Sequence, residues 1–224
     1  MKCNKNYLLA VVGALLTLIL ICLVRFVDVA PIGPEGTSIG LSALNLAAFQ
    51  AFGVSMSWYK ITTVLGIVAI LTAGLFALLG LIQLIRRKSL LKVDRELLVL
   101  AGLYVVVVIL YVLFDKIAVN YRPMILPDEQ QPEASFPSSH TMLMCTVMGS
   151  ALSLLPKYVK IPVIRTALTV VCCVVIGLTV AGRLLSGVHW FTDIIGGVLI
   201  SITLLSLYAG TVESLSPAKK EQRR

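Results

Sequence analysis

Residues 194–212 read IIGGVLISITLLSLYAGTV, 19 positions without a charged side chain. They follow directly on RLLSGVHWFTD (183–193), which carries one of the two histidines together with an arginine and an aspartate. A helix of about 20 apolar residues spans the hydrocarbon core of a bilayer. The first stretch therefore predicts a membrane-spanning helix, and the second places ionisable groups where that helix meets the membrane surface.

Five of the uncharged runs that precede this one are candidate spans. They cover residues 6–24, 61–85, 97–114, 141–156 and 166–182. All of the runs except 141–156 reach the roughly 17–25 residues of a spanning helix, and that short run needs neighbouring polar residues at its ends. The first run has no small-residue cleavage site close behind it, so we expect a retained anchor rather than a signal peptide. The pattern predicts an all-α bundle of six transmembrane helices.

The composition agrees with a chain solvated by lipid. Hydrophobic residues make up 58% of it and charged residues 13%, against roughly 45–50% and about 25% in soluble domains. No long polar stretch offers a second domain, so residues 1–224 are expected to form one unit. The net charge of +8 does not indicate nucleic-acid binding, because the charges lie between the apolar runs. The five cysteines lack the spacing of a disulfide framework or a metal site.

The basic residues predict the orientation. With six spans, both termini lie on one side, and the segments on that side hold 14 of the 19 lysines and arginines. The other side keeps Arg25, Lys60, Lys116, Arg122 and Arg183. Short basic loops stay in the cytoplasm. We therefore expect cytoplasmic termini, including a basic tail at 211–224, and an outward-facing opposite side.

Two segments on the outer side are long. Residues 28–60 begin with prolines and glycines and continue with apolar residues at helical spacing, Leu41, Leu44, Ala48, Phe49 and Phe52. They predict either an amphipathic helix in the membrane interface or a plain helix that caps the bundle. Residues 115–139 are polar, and their acidic residues, Asp128, Glu129 and Glu133, show no metal-ligand pattern.

Three polar clusters fall at the outer ends of predicted helices. They are KIAVNYRP (116–123), FPSSH (136–140) and RLLSGVHWFTD (183–193). Both histidines, His140 and His189, belong to these clusters. Ionisable residues at membrane depth are costly and usually functional, so the three clusters predict one site.

The cations of these clusters suit a phosphate group. Arg122 and Arg183 offer planar forks that match phosphate oxygens, and Lys116 adds a point charge. Phosphoryl transfer spreads charge over the peripheral oxygens, and positioned cations are its main catalytic need. The clusters therefore indicate phosphate binding.

The histidines supply a nucleophile and an acid. His189 and Asp193 are four residues apart and share a helix face. The carboxylate can keep one ring nitrogen protonated and leave the other free to attack phosphorus. His140 would then protonate the departing oxygen and later activate water.

The turn before His140 predicts an anion cradle. The free N–H groups at a helix N-terminus bind anions, and Ser138 and Ser139 can cap that helix, donate to phosphate, or do both. These clusters also have structural interpretations, with the histidines as hydrogen-bonded helix ends and the arginines as interfacial anchors. Gly196 and Gly197 favour close helix packing.

The three clusters resemble the signature of the type 2 phosphatidic acid phosphatase (PAP2) superfamily, which reads K-x6-R-P, P-S-G-H and S-R-x5-H-x3-D. The third motif matches from Arg183 through His189 to Asp193, with Gly182 in place of the leading serine. Ser139 replaces the glycine of the second motif. Arg122-Pro123 fits the first motif, but five residues rather than six separate Lys116 from Arg122. The resemblance covers about residues 96–210.

The resemblance implies a role for each matching residue. His189 would be the nucleophile, Asp193 its partner and His140 the acid. The phosphate would be held by Arg122, Arg183, Ser138, Ser139 and Lys116. Proteins of this family are similar in having six transmembrane helices and no metal or other cofactor.

The sequence therefore predicts a bacterial cytoplasmic-membrane phosphatase that acts on a lipid phosphate or diphosphate at the outer face. Undecaprenyl diphosphate is the first candidate substrate, followed by phosphatidylglycerol phosphate and phosphatidate. The alternative is a PAP2-like protein that binds or transports lipid without catalysis. The altered lysine spacing and Gly182 favour this alternative. A small channel has little support, because the ionisable residues gather at one face.

Overall fold

The computed structural model describes residues 4–126 and 129–216. This part of the chain forms seven α-helices and no strand. They are α1 (Lys5–Phe26), α2 (Ser42–Phe52), α3 (Met56–Arg87), α4 (Arg95–Lys116), α5 (Ser139–Tyr158), α6 (Pro162–Leu185) and α7 (Phe191–Ser214). The all-α prediction is confirmed. The predicted tail begins within α7, and residues 217–224 lie outside the described part, as do residues 127–128 of the acidic segment.

Five of these helices, α1, α3, α4, α6 and α7, are long and apolar enough to cross a membrane. The helix α5 occupies the fourth predicted span but is not among them, so the count of six spans stays a prediction. Its polar side chains explain the difference. Thr146 donates to Ser201 of α7 at 3.1 Å, and the hydroxyls of Tyr104 and Ser150 are 2.9 Å apart. A helix that faces protein on most sides can carry such residues.

The position of α5 is central. It packs against α3, α4, α6 and α7. A buried cluster that includes Leu100, Met142 and Leu204 joins it to α4 and α7, and a second cluster around Met144 and Val147 joins it to α3 and α6. The surrounding helices expose large apolar side chains outward, for example Val64, Leu71 and Val163. An apolar surface of this extent is stable in lipid rather than in water.

Successive long helices run in opposite directions, so the bundle has two ends. Each end is joined by hydrogen bonds between neighbouring helices and loops. At one end, Arg25 donates to the carbonyl of Ala118 at 3.2 Å, and the N–H of Ser55 donates to the carbonyl of Ser186 at 3.4 Å. This end, called the site end below, holds the start of α5, the start of α7 and the end of α4. The three polar clusters therefore meet at one end of the bundle.

The helix predicted between the first two spans forms as α2. Its buried residues are the polar Ser42 and Asn45, whereas Leu44 and Phe52 are exposed. The Asn45 side chain accepts from the N–H of Thr192 at 3.2 Å, so α2 is attached to the start of α7. Its placement in a membrane interface remains a prediction.

The opposite end is held by a carboxylate. Asp94, just before α4, accepts hydrogen bonds from Gln83 at 3.0 Å, Arg87 at 3.0 Å and Tyr158 at 2.8 Å, and lies 3.1 Å from Lys157. Burial raises the pKa of Asp94, but these hydrogen bonds outweigh it and hold the pKa well below its usual range. The ends of α3, α4 and α5 are thereby joined far from the site end.

Candidate active site

The turn between α6 and α7 positions His189 and Asp193. Gly187 has a φ of 68° and packs against Val54, a conformation that favours glycine. Asp193 lies in the first turn of α7, where its Oδ2 accepts from the N–H of Trp190 at 2.9 Å. The carboxylate is therefore fixed as a helix cap beneath the imidazole.

The main chain of Ser135 orients the ring of His189. Nδ1 lies 3.1 Å from the carbonyl oxygen of Ser135 and 3.6 Å from Oδ2 of Asp193. Both neighbours are acceptors, so Nδ1 carries the hydrogen and the lone pair is on Nε2. The predicted partner Asp193 is in place, but the carbonyl is closer.

Arg122 faces the free nitrogen of His189. One terminal guanidinium nitrogen is 3.4 Å from Nε2 and 3.3 Å from the carbonyl oxygen of Val188. On its other edge, Nε donates to Oε2 of Glu133 at 2.9 Å. Main-chain bonds between residues 120–122 and 133–135, one from Arg122 N to the Glu133 carbonyl at 3.0 Å, set this register. The site end therefore brings Arg122 and His189 together as predicted.

The environment of His189 keeps it neutral. Its side chain is only 2% exposed. Burial lowers the pKa of His189 well below its ordinary value, and the charges of Arg122, Arg183 and His140 lower it further. A buried imidazole beside cations loses its proton readily, which leaves Nε2 available as a nucleophile.

The turn Phe136–Ser138 packs directly on α7. A Cβ on Gly196 would lie 2.5 Å from the Phe136 ring, and one on Gly197 would lie 3.0 Å from the Ser138 carbonyl. The two glycines thus permit this close approach, as the sequence suggested. Ser138 is fully buried, and its hydroxyl caps α5 by accepting from the main-chain N–H of Thr141 at 3.5 Å, and it also accepts from the Thr141 hydroxyl at 3.0 Å. Ser139 instead lines the cavity at His189.

Arg183 lies in the last turn of α6 and does not line the cavity at His189. It is 1% exposed, lies 5.2 Å from the centre of the Tyr59 ring, and donates to the hydroxyl of Thr63 at 3.4 Å. Its Nε is buried without a partner among the described residues. An anion would fit the chemistry of this charged donor.

His140 is the second residue of α5 and lies on the side of that helix facing α3. A Cβ on Gly66 would be 3.1 Å from the His140 ring, so the glycine makes room for the imidazole. His140 lines a cavity of about 430 Å³ between α3, α4 and α5. Ser139 borders both this cavity and the one at His189.

Lys116 lies apart from this arrangement. Its side chain is 77% exposed, and its Nζ is 3.3 Å from Oδ2 of Asp115. Of this pair, Asp115 lines the cavity at His189. One residue turns a helix by about 100°, so the shortened spacing to Arg122 directs the lysine elsewhere. The structure does not bring Lys116 to the other phosphate-binding candidates.

The cavity at His189 has a volume of about 110 Å³. Its polar lining consists of Arg122, Glu133, Ser135, Ser139, Asp115, Tyr111 and His189. Sequence reasoning did not assign Ser135 or Glu133 to the site, because a main-chain acceptor and a loop carboxylate leave no motif. Within the described ranges, no three His, Cys, Asp or Glu side chains are grouped to hold a metal.

Comparisons with known proteins match these motifs and this fold. The family model of the PAP2 superfamily matches residues 96–215. The chain is also similar to a solved structure described as the first transmembrane PAP2 type phosphatidylglycerolphosphate phosphatase from Bacillus subtilis, with a TM-score of 0.60 and 20% identity over 93% of this chain and 98% of that chain. No curated protein sequence matches the chain. The likeness to the solved structure establishes a transmembrane fold of the same type.

Proposed function

This chain belongs to the PAP2 superfamily, and from that premise we propose that it is a membrane lipid phosphatase that works through a phosphohistidine. One observation carries the proposal. Nε2 of His189, which carries the lone pair of the ring, accepts from a terminal guanidinium nitrogen of Arg122 at 3.4 Å. A phosphate held by that guanidinium would present its phosphorus to the imidazole.

The proposed reaction has two steps. In the first, Nε2 of His189 attacks phosphorus, the bond from phosphorus to the ester oxygen breaks, and His140 gives its proton to that oxygen. In the second, His140 takes a proton from water, the water oxygen attacks phosphorus, and the phosphorus–nitrogen bond breaks. Inorganic phosphate leaves, and both histidines return to their starting states. Arg122 and Arg183 stabilise the charge on the peripheral oxygens throughout.

The substrate is proposed to be a lipid because of where the site lies. The cavity of His140 is lined mostly by apolar residues of α3 and α4, among them Ile67, Ile70 and Val108. A lipid headgroup reaches this level of the bundle while its tail stays in the membrane. Undecaprenyl diphosphate, phosphatidylglycerol phosphate and phosphatidate are the substrates to compare.

The experiment is phosphate release from these lipids by purified protein in detergent containing EDTA. We expect turnover with chelator present, and its loss in His189→Ala by at least about a thousandfold, because the nucleophile is gone. A covalent phosphohistidine should be trapped in the wild type after rapid quenching. Activity that disappears with EDTA, or persists in His189→Ala, contradicts the proposed mechanism.

The orientation is a proposal of its own. The basic residues predict that both termini, and the Asp94 end of the bundle, face the cytoplasm, which leaves the active site outside. A reporter that is active only in the cytoplasm, fused after residue 224, should be active. If this reporter is inactive, and a reporter that works only in the periplasm is active at the same point, the orientation is opposite to the one proposed.

A catalytically inactive lipid-binding protein is the second candidate. The ion pair of Glu133 with Arg122, at 2.9 Å, favours it, because a carboxylate already occupies one edge of the phosphate-binding guanidinium. Binding of the same lipids without release of phosphate and without a phosphohistidine would establish this alternative.

A further inference from the structure

The charges around the cavity at His189 are mixed. Among the described residues that line it, Arg122 is cationic, and Glu133 and Asp115 are anionic. The second arginine, Arg183, is buried beside Tyr59 and Thr63 and does not line this cavity. A phosphate at Nε2 therefore meets the Arg122 guanidinium directly, with the carboxylates of Glu133 and Asp115 on the wall of the same cavity.

Glu133 is fixed in that wall. Its Oε2 accepts from Nε of Arg122 at 2.9 Å, and its side chain is 38% exposed. Glu133 accepts only from Nε of the guanidinium, so the terminal nitrogen beside His189 can bind phosphate while Glu133 stays in place. The carboxylate then lies next to whatever extends outward from the bound phosphate.

Asp115 adds a second carboxylate. In the K-x6-R-P pattern the lysine precedes the arginine by seven positions, and here that position holds Asp115. The neighbouring Lys116 pairs with Asp115 at 3.3 Å and is otherwise largely exposed. Asp115 therefore places a negative charge on the cavity wall at the position where the motif has a lysine. A lysine there would help to neutralise a more highly charged anion.

The charge balance distinguishes a monophosphate from a diphosphate. A phosphate monoester carries about −1.5 to −2 at neutral pH, which Arg122 and Arg183 can match. A lipid diphosphate brings a second charged phosphoryl group, and the groups beside it would be Glu133 and Asp115. Like charges placed together in a binding site strongly disfavour the wrong ligand.

We propose that this site selects lipids with a single phosphate over lipid diphosphates, with Glu133 and Asp115 as the residues that exclude the second phosphoryl group. The inference rests on the proposed phosphatase function. A neutral hydroxyl-bearing group in place of the second phosphate would donate hydrogen bonds to the two carboxylates, so glycerol- or sugar-type headgroups are compatible with it.

The test compares two lipids with one tail, farnesyl phosphate and farnesyl diphosphate. Phosphate release by the purified full chain in detergent gives kcat/KM for each. We expect the monophosphate to have a kcat/KM at least about tenfold higher, because only the diphosphate meets the two carboxylates.

Matched variants locate the selectivity. Glu133→Gln removes the negative charge but keeps a hydrogen-bond acceptor for Arg122. Asp115→Asn removes the negative charge of the second carboxylate. Each should lower the monophosphate-to-diphosphate ratio by about threefold to tenfold. Glu129→Gln is the control, since it makes the same change at an exposed residue of the same loop that does not line the cavity.

The outcomes separate the two proposals. A diphosphate that is hydrolysed as well as the monophosphate, or a ratio that responds equally to Glu129→Gln and Glu133→Gln, overturns the selectivity and leaves the phosphatase in place. No phosphate release from either lipid, or from phosphatidate, overturns the proposed function and the selectivity with it.

Discussion

The imidazole of His189 is held more closely by the main-chain carbonyl of Ser135, at 3.1 Å, than by the carboxylate of Asp193, at 3.6 Å. In a catalytic triad, the aspartate alone determines which ring nitrogen of the histidine carries the hydrogen. Replacing that aspartate with asparagine permits the wrong tautomer, and activity falls by about four orders of magnitude. Here the carbonyl maintains the tautomer independently, because a carbonyl oxygen can only accept a hydrogen bond, so the ring nitrogen that faces it carries the hydrogen.

We therefore expect Asp193→Asn to lose about tenfold to a hundredfold in kcat, a smaller loss than in a triad. The amide oxygen can still cap α7 by accepting from Trp190, so the fold is retained. Single-turnover rates of Asp193→Asn and His189→Ala, measured in parallel, check this. Equal losses in the two variants would show that the carboxylate, not Ser135, determines the state of the ring.

The pKa of His189 gives a second prediction. The chain has two histidines, so His140→Gln leaves His189 as the one imidazole to observe by 15N NMR of histidine-labelled protein. Since burial and the neighbouring cations lower its pKa, we expect a neutral ring with hydrogen on Nδ1 at pH 6.5 and below. Half-protonation at or above pH 6.5, or hydrogen on Nε2, would contradict the geometry of the site.

The same shift has a consequence for stability. The unfolded chain binds a proton at His189 near pH 6.5, whereas the folded chain does not. The free energy of unfolding should therefore decrease as pH falls below about 6.5, through this group. His189→Gln should flatten that part of the pH dependence relative to the wild type, as measured by thermal unfolding in detergent.

A third prediction concerns the opposite end of the bundle. Asp94→Asn removes the charge that receives hydrogen bonds from Gln83, Arg87 and Tyr158. Hydrogen bonds to charged groups contribute about 1.5–3 kcal/mol each when buried, so a loss of about 2 kcal/mol in unfolding free energy is expected for this partly exposed network.

The pKa shift of Asp94 sets the sign of its pH dependence. A depressed pKa means that the stabilisation is present above the ordinary pKa of an aspartate, about 3.9, and is lost as pH falls further. At neutral pH, kcat should stay unchanged in Asp94→Asn, since the network lies far from His189. A variant of wild-type stability, or one with altered kcat, would contradict this purely structural assignment.

The sequence alone was sufficient to locate the apolar spanning helices. It was insufficient for the features that depend on how the helices pack against one another. Uncharged runs locate α1, α3, α4, α6 and α7, because lipid requires apolar side chains on every exposed face. The composition of α5 is less apolar, since its polar residues find partners inside the bundle, as Thr146 does with Ser201.

The same distinction holds in the site. Arg122, His189 and Asp193 are side chains in fixed motifs, and the structure brings them together. The role of Ser135 is carried by its carbonyl, which any residue would offer, and no sequence pattern reveals it. The exposed position of Lys116 follows from a spacing to Arg122 that is one residue shorter than in the motif, and the ion pair of Glu133 joins residues eleven positions apart. Whether these residues bind phosphate remains a prediction.

The last prediction concerns Gly182, which stands where the PAP2 motif has serine. A Cβ at this position would lie 2.6 Å from Cγ2 of Thr62 and 2.8 Å from Cε3 of Trp58. Both neighbours are on α3, so the bulk of Trp58 fills the space that a side chain on α6 would need. The glycine is therefore explained by packing and is no sign of a lost catalytic function.

Gly182→Ala should destabilise the protein by about 1–3 kcal/mol, the usual cost of overpacking, and should disturb the adjacent Arg183. Gly177→Ala is the control on the same helix, because nothing lies within 4 Å of its Cβ, and it should be neutral or slightly stabilising. In a Trp58→Leu background, which makes room on α3, Gly182→Ala should cost less than it does alone. If the two glycine variants unfold at the same temperature, or if Trp58→Leu gives no relief, then close packing against α3 is not the reason for a glycine at this position.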